Sequence, residues 1–336
     1  MLRTHGLSPC LRHLLLINVD RLGFMVPSLL SIAAGLLLLA VGAEGLVRGA
    51  SSLARAAGVS PLVIGLTVVA VGTSLPELMV SVGAAVRGSG AVALGNVVGS
   101  NISNVALILG VSAMLRAMRV QAQIIRIDAP ILLGASLALG ALLVDGRLSR
   151  LDGGLLTGGI IAYTGFSVYA ARSETAAVQQ EYDRGVPQQH RLWIDLVLLA
   201  GGMGALGIGA DLLVDGAVVV ATAVGISEVV VGLTVVAIGT SLPEMATSVT
   251  AAYRGEGDIA VGNAVGSSIF NILGILGVTV LIHPLATDAL RTLDLAVMIG
   301  LAVALLPMMR SGFMLSRWEG SLLLLVYAAY LGTLFV

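Results

Sequence analysis

The chain has 336 residues, of which 57% are hydrophobic and 11% charged, with a formal net charge of −1. A charged fraction below half the roughly 25% usual in soluble domains excludes a water-soluble globular protein. Near-neutral charge without acidic or basic runs excludes a nucleic-acid partner, and a single cysteine, Cys10, excludes an internal disulfide or a cysteine-built metal cluster.

At ~20 residues per transmembrane helix, the apolar stock supplies nine or ten spans. Residues 1–25 read as an N-terminal extension, with Arg3, Arg12 and Arg21 around the short apolar run 14–17. That run is too short for a secretory signal, and Met25, directly before the first strong span, reads as an alternative translation start. Apolar runs follow near residues 26–47, 60–86, 91–115, 129–144 and 153–171. After a polar stretch from Arg172 to Arg191 come runs near 193–218, 227–252, 259–283, 292–309 and 319–336. The expectation is an all-α polytopic membrane protein of ten transmembrane helices, the fourth and last being short. Residues 26–172 form the first five-helix repeat, 173–190 a cytoplasmic linker, and 191–336 the second repeat.

Every basic residue is Arg, and the loops divide them unequally. One side holds Arg48, Arg55, Arg116, Arg119, Arg126, Arg172, Arg184, Arg191, Arg254, Arg310 and Arg317. The other holds Arg87, Arg147, Arg150 and Arg291, joined by three more if the extension is counted. The positive-inside bias puts the first side, with the linker, in the cytoplasm of a cell (inner) membrane and both termini outside.

The strongest feature is an internal repeat. Residues 60–110 align without a gap on 227–277 at a constant offset of 167, with 32 identities in 51 positions. GLTVVAVGTSLPE faces GLTVVAIGTSLPE, and GNVVGSNISN faces GNAVGSSIFN. Shared hydrophobicity would not keep Thr, Ser, Pro, Glu and Asn in register. Five helices per repeat is an odd number, so the second copy enters the membrane from the opposite side, as in alternating-access transporters.

Glu77 and Glu244 stand at matching positions inside apolar runs, where a carboxylate is costly unless it lines a cavity or meets a cation. Thr73, Glu77 and Ser81 share one helical face, as do Thr240, Glu244 and Ser248, with Ser74 and Ser241 close by. Pro76 and Pro243 precede the glutamates; each lacks an N–H and frees a carbonyl four residues back, on Gly72 and Gly239. The neighbouring runs add Ser100 with Asn104 and Ser267 with Asn271. Asn96 and Asn263, which follow Gly95 and Gly262, fit further ligands or turn and interface residues equally. Carboxylate, hydroxyl, amide and carbonyl oxygens suit a hard cation such as Ca²⁺. Two carboxylates balance one Ca²⁺ or two Na⁺. Moving them bare through a dry intermediate is costly, so a carrier built this way reorients when occupied and therefore exchanges ions.

In these residues the chain resembles the cation/calcium exchanger superfamily, whose repeats carry a G-T-S-x-P-E segment followed by G-S-N-x-x-N or a variant. It is most similar to the compact prokaryotic sodium/calcium exchanger-like members, because the large regulatory loop of animal exchangers is absent. The resemblance implies a midplane metal site with Glu77 and Glu244 as principal ligands. Further oxygens would come from Thr73, Thr240, Ser74, Ser241, Ser100, Ser267, Asn104 and Asn271, and from the carbonyls of Ala70 and Ala237. It also implies that the first and sixth helices slide across a rigid core. Two positions depart from the pattern. Asn271 stands where potassium-dependent relatives carry Asp, which speaks against a K⁺ requirement, and Ser268 replaces the Asn of the first copy, Asn101.

The matched acids Glu44 and Asp211 fit cation attraction toward an access path or a polar helix contact. Glu228, Asp258, Asp128, Asp195, Asp288 and Asp294 lie near span ends, where they cap helices. The expected function is Na⁺/Ca²⁺ antiport, with H⁺ as the alternative counter-ion, Na⁺ and Ca²⁺ (or H⁺) as substrates, the bilayer as partner and no cofactor. A cation channel is a competing reading. An intramembrane enzyme is a weaker one, since no nucleophile–base pair or metal motif is apparent.

Overall fold

A computed structural model describes residues 9–57, 61–88, 90–182, 192–223, 237–286 and 290–334. They are almost entirely helical. Apolar backbone without water partners must satisfy its N–H and C=O groups within the segment, and Leu/Ala-rich runs do so as helices. In chain order the helices are α1 (Pro9–Ala57), α2 (residues 61–73), α3 (Leu75–Val86), α4 (Gly90–Leu115), α5 (Ile124–Asp145) and α6 (Arg150–Tyr182). The second half gives α7 (Leu192–Ala223), α8 (Ala237–Thr240), α9 (Leu242–Arg254), α10 (Gly257–Ile282), α11 (Thr292–Arg310) and α12 (Arg317–Gly332). Local chemistry sets several ends. Gly255 takes φ +86° to close α9, and Ser316 with Glu319 forms the capping box that opens α12.

Among the described residues, six helices (α1, α4, α5, α7, α10 and α11) are long and apolar enough to cross a membrane. The count rises to seven if α2 and α3, bent by 44° at Ser74, form one span. Each of the ten apolar runs falls largely in helix, although residue 60, the start of run 227–252 and residues 335–336 lie outside the described residues. α12, with 16 residues, is too short to qualify by length. Two boundaries differ from expectation. α1 starts at Pro9, so the first helix takes in much of the N-terminal extension, and α6 carries helix into the polar stretch as far as Tyr182.

α4 and α10 form the centre, 78% buried over their most apolar stretch against 28% for α1 and α7. α1 and α7 lie antiparallel along a seam of glycines spaced by seven: Gly35, Gly42 and Gly49 on one, Gly202, Gly209 and Gly216 on the other. A Cβ on Gly35 would sit 2.7 Å from the Gly209 carbonyl oxygen, so only glycine permits this approach.

Contacts between the halves are reciprocal. The short strand β1 (Met118–Arg119) pairs antiparallel with β4 (Met314–Leu315), and β2 (Arg147–Leu148) with β3 (Leu285–Ala286). Shifting each residue by 167 turns the pair Met118–Leu315 into Leu285–Leu148. The same shift relates the close approach of Gly110 to Gly320 and that of Gly277 to Gly153. The two halves therefore embrace through a pseudo-two-fold relation.

Candidate cation site

Ser74 and Ser241 stand at the same break in the two repeats, with φ −86°, ψ 9° and φ −89°, ψ 5°. Each starts a new helix whose second residue is proline, which has no N–H to lose in a first turn. Glu77 and Glu244 thus fall in the first turns of α3 and α9, where free N–H groups and the helix dipole favour negative charge.

The two breaks meet. Ser74 Oγ donates to Glu244 Oε1 at 2.8 Å, and Ser241 Oγ donates to Glu77 Oε1 at 3.3 Å. Each repeat's serine therefore holds the other repeat's glutamate. Ser241 Oγ also lies 3.4 Å from Ser100 Oγ on α4, and Ser267 Oγ of α10 donates to the Ala70 carbonyl at 3.3 Å. Thr73 Oγ1 lies 3.2 Å from Asn263 Oδ1 and 3.1 Å from the Val69 carbonyl.

Both glutamates are 1% exposed, and Oε2 of each has no hydrogen-bond partner among the described residues. The same holds for Oδ1 of Asn104 and of Asn271. These are two repeat-matched pairs of buried, unpaired acceptors. Each such group costs about 1–3 kcal/mol of lost solvation, and more when charged. Asn104 and Asn271 sit in stretches of π-helix, Ser103–Ile108 and Phe270–Leu276, where the widened turn re-aims side chains.

Of the twelve positions expected at the site, Thr73, Ser74, Glu77, Ser100, Ser241, Glu244, Ser267 and the Ala70 carbonyl are joined by these hydrogen bonds or close contacts. Asn104 and Asn271 are buried one turn beyond Ser100 and Ser267. Thr240 is half-buried at the end of α8, and Ala237 begins that helix. The Ala70 carbonyl is also shared with the Ser74 N–H at 3.1 Å.

Spacing alone leaves the role of Asn96 and Asn263 open. Asn96 Nδ2 donates to the Glu77 carbonyl (3.2 Å) and to Ser81 Oγ (2.9 Å), and Asn263 Nδ2 to the Glu244 carbonyl (3.3 Å) and Ser248 Oγ (3.0 Å). The asparagines clamp the glutamate helices to α4 and α10. Ser81 and Ser248, expected on the ligand face, serve these clamps instead. Their repeat-matched position beside a glycine was the available signal.

A family model described as sodium/calcium exchanger protein matches residues 27–169 and again 194–336, two stretches themselves offset by 167. The chain belongs to the sodium/calcium exchanger family.

Within the cation/calcium exchanger superfamily it is of the prokaryotic type, a multi-pass transmembrane antiporter. The chain is 39% identical over 268 residues to the putative antiporter CaxA of Alkalimonas amylolytica, covering 78% of this chain and 84% of that one. It is 34% identical over 298 residues to the sodium/calcium exchanger MaX1 of Methanosarcina acetivorans, covering 78% and 85%. The fold is similar to that of the sodium-calcium exchanger NCX_Mj soaked with Na⁺ and Sr²⁺. The TM-score is 0.80 at 32% identity, over 92% of this exchanger and 98% of that chain. Among the described residues no three His, Cys, Asp or Glu side chains gather as a metal cluster. Charge at the site thus comes from the glutamate pair.

Proposed function

We propose that this exchanger moves Ca²⁺ against Na⁺ by alternating access, with the ions held between the two GTSLPE segments. The observation that carries the reading is the set of four unpaired buried oxygens on Glu77, Glu244, Asn104 and Asn271. A cluster of acceptor oxygens with two carboxylates suits one Ca²⁺, or Na⁺ ions in its place, and a hard cation is the ligand such oxygens recognise. Thr73, Ser74, Ser100, Ser267, Thr240 and Ser241, with the carbonyls of Ala70 and Ala237, supply or orient the remaining coordination. Because the loaded site is close to neutral and the bare site is not, reorientation is tied to occupancy, which makes transport an exchange.

The inverted arrangement is part of the same proposal. α1 and α7 are repeat partners yet run antiparallel, which a two-fold axis lying in the membrane plane produces. With five helical runs per repeat, residues 26–172 and 191–336 then form two inverted halves of a ten-span protein joined by 173–190. The arginine distribution puts that linker in the cytoplasm and both termini outside.

The test is ⁴⁵Ca²⁺ uptake into proteoliposomes under an imposed Na⁺ gradient, then under a pH gradient. Uptake that follows Na⁺ is expected. Uptake that ignores Na⁺ and follows pH would transfer the role of counter-ion to H⁺, and uptake with no counter-ion inside would indicate a channel.

A further inference from the structure

The repeat symmetry is broken where the outer helices meet the glutamate helices. α1 packs along α9, but among the described residues α7 does not pack along α3 in the same way. Leu242 on α9 is 8% exposed while its match on α3, Leu75, is 47% exposed, and Met79 beyond it is 75% exposed. One face of the exchanger is closed by α1 on α9, and the opposite face is open between α7 and α3.

Charge follows the same division. On the closed face Glu44 of α1 takes Arg254, at the end of α9, at 3.3 Å, and Arg48, one turn along α1, through Nε at 2.7 Å. The matching residues on the open face are Asp211 and Asp215 of α7 and Arg87 at the end of α3. Among the described residues none of these three makes an ion pair, and Arg87 Nε instead donates to the Gly83 carbonyl at 2.9 Å. The glycine seam puts Asp211 opposite residue 33 of α1, so the two acids lie eleven residues, about 16 Å, apart along the helix pair.

We propose that Glu44–Arg254 and Asp211–Arg87 are reciprocal gate latches, one forming as the other opens, so that each face closes on its own ion pair. The proposal rests on the alternating-access reading. The two latches have opposite charge patterns. On the first, one acid sits between two arginines. On the second, one arginine would sit between two acids, Asp211 and Asp215, whose i,i+4 spacing makes them repel until Arg87 arrives. With that face open the pair leaves its mouth acidic, which gathers cations at the entrance. With the other face open, Glu44 keeps Arg48 and Arg254 is released, so that mouth does not attract cations. Glu44, Asp211, Arg87 and Arg254 are thus positioning residues, and they touch no transported ion.

The test is labelling of Met79→Cys, in a full-length Cys10→Ser background reconstituted in liposomes, with a membrane-impermeant maleimide. Breaking the closed latch with Glu44→Gln or Arg254→Gln should slow labelling about threefold, the scale of a partly exposed ion pair. The charge swap Glu44→Arg with Arg254→Glu, made together with Arg48→Gln so that two arginines do not face each other at i,i+4, should restore the parent rate. Asp211→Asn, which weakens the opposite latch, should leave labelling as fast or faster. Equal rates in parent and Glu44→Gln would overturn the proposal, as would a monodisperse swap variant that stays slow. Labelling needs no transport, so it is scored separately from Na⁺-driven ⁴⁵Ca²⁺ uptake by the parent. Normal uptake with unchanged labelling removes the latch alone, and absent uptake with the expected labelling pattern removes the exchange reading alone.

Discussion

Gly42 of α1 and Gly202 of α7 touch backbone to backbone: a Cβ on Gly42 would lie 2.9 Å from the Gly202 carbonyl oxygen, and one on Gly202 2.8 Å from that of Gly42. The contacting atoms belong to main chain, so neither helix can yield by turning a side chain. Gly42→Ala and Gly202→Ala should each lower stability by about 1–3 kcal/mol, the usual cost of overpacking. Thermal melts in detergent measure this. Gly201→Ala, which meets no atom within 4 Å in the described structure, is the control and should melt like the parent.

Glu77→Gln and Glu244→Gln keep shape and remove charge. Each should cut Na⁺-driven Ca²⁺ uptake at least tenfold while leaving the protein folded, because the surrounding hydroxyls can still bond an amide. Near-parental uptake by either variant would remove that glutamate from the site.

Ca²⁺ should stabilise the folded protein by binding linkage. At a hundred times the dissociation constant the gain is about 2.7 kcal/mol, read as a rise in melting temperature on adding Ca²⁺ to chelator-treated protein. In Glu77→Gln that rise should be largely lost. A rise of equal size in the variant would mean that Ca²⁺ acts elsewhere.

Asn104 and Asn263 should respond in opposite ways. Both polar atoms of the Asn104 amide are buried and unpaired among the described residues. Asn104→Leu should therefore leave ion-free stability equal or higher, by up to about 3 kcal/mol, while weakening the Ca²⁺-dependent shift. Asn263→Leu breaks the bonds to the Glu244 carbonyl and to Ser248 Oγ that hold α9 on α10, so it should destabilise by about 1–3 kcal/mol even without ions. Melting with and without Ca²⁺ separates a ligand from a clamp.

Much of this was legible in the sequence, and for a specific reason. Lipid tolerates few polar residues, so Glu77, Glu244 and their matched Ser, Thr and Asn neighbours stood out against the apolar runs, and duplication made coincidence untenable. Which partner each polar atom chooses was not legible. Asn96 and Asn271 are both buried or half-buried amides on central helices, yet one clamps and the other, in the π-turn at Phe270–Leu276, is left with an open acceptor. The glycine seam was visible as abundance alone. Its seven-residue spacing gained meaning once α1 and α7 were found side by side. The open α3–α7 face was beyond sequence altogether, since near-identical repeats carry no instruction to differ.

The interleaving of the halves also bears on how such a chain can be assembled. β1 reaches across to β4 and β3 back to β2, so neither half closes its own ends. A half made alone would present its glycine stripe to lipid and its glutamate to no serine. Made as separate polypeptides in one membrane, however, the two halves contain every contact described above, for the chain between Tyr182 and Leu192 is the sole covalent tie. The fold is in effect a heterodimer with its partners fused end to end, and the fusion guarantees equal dosage.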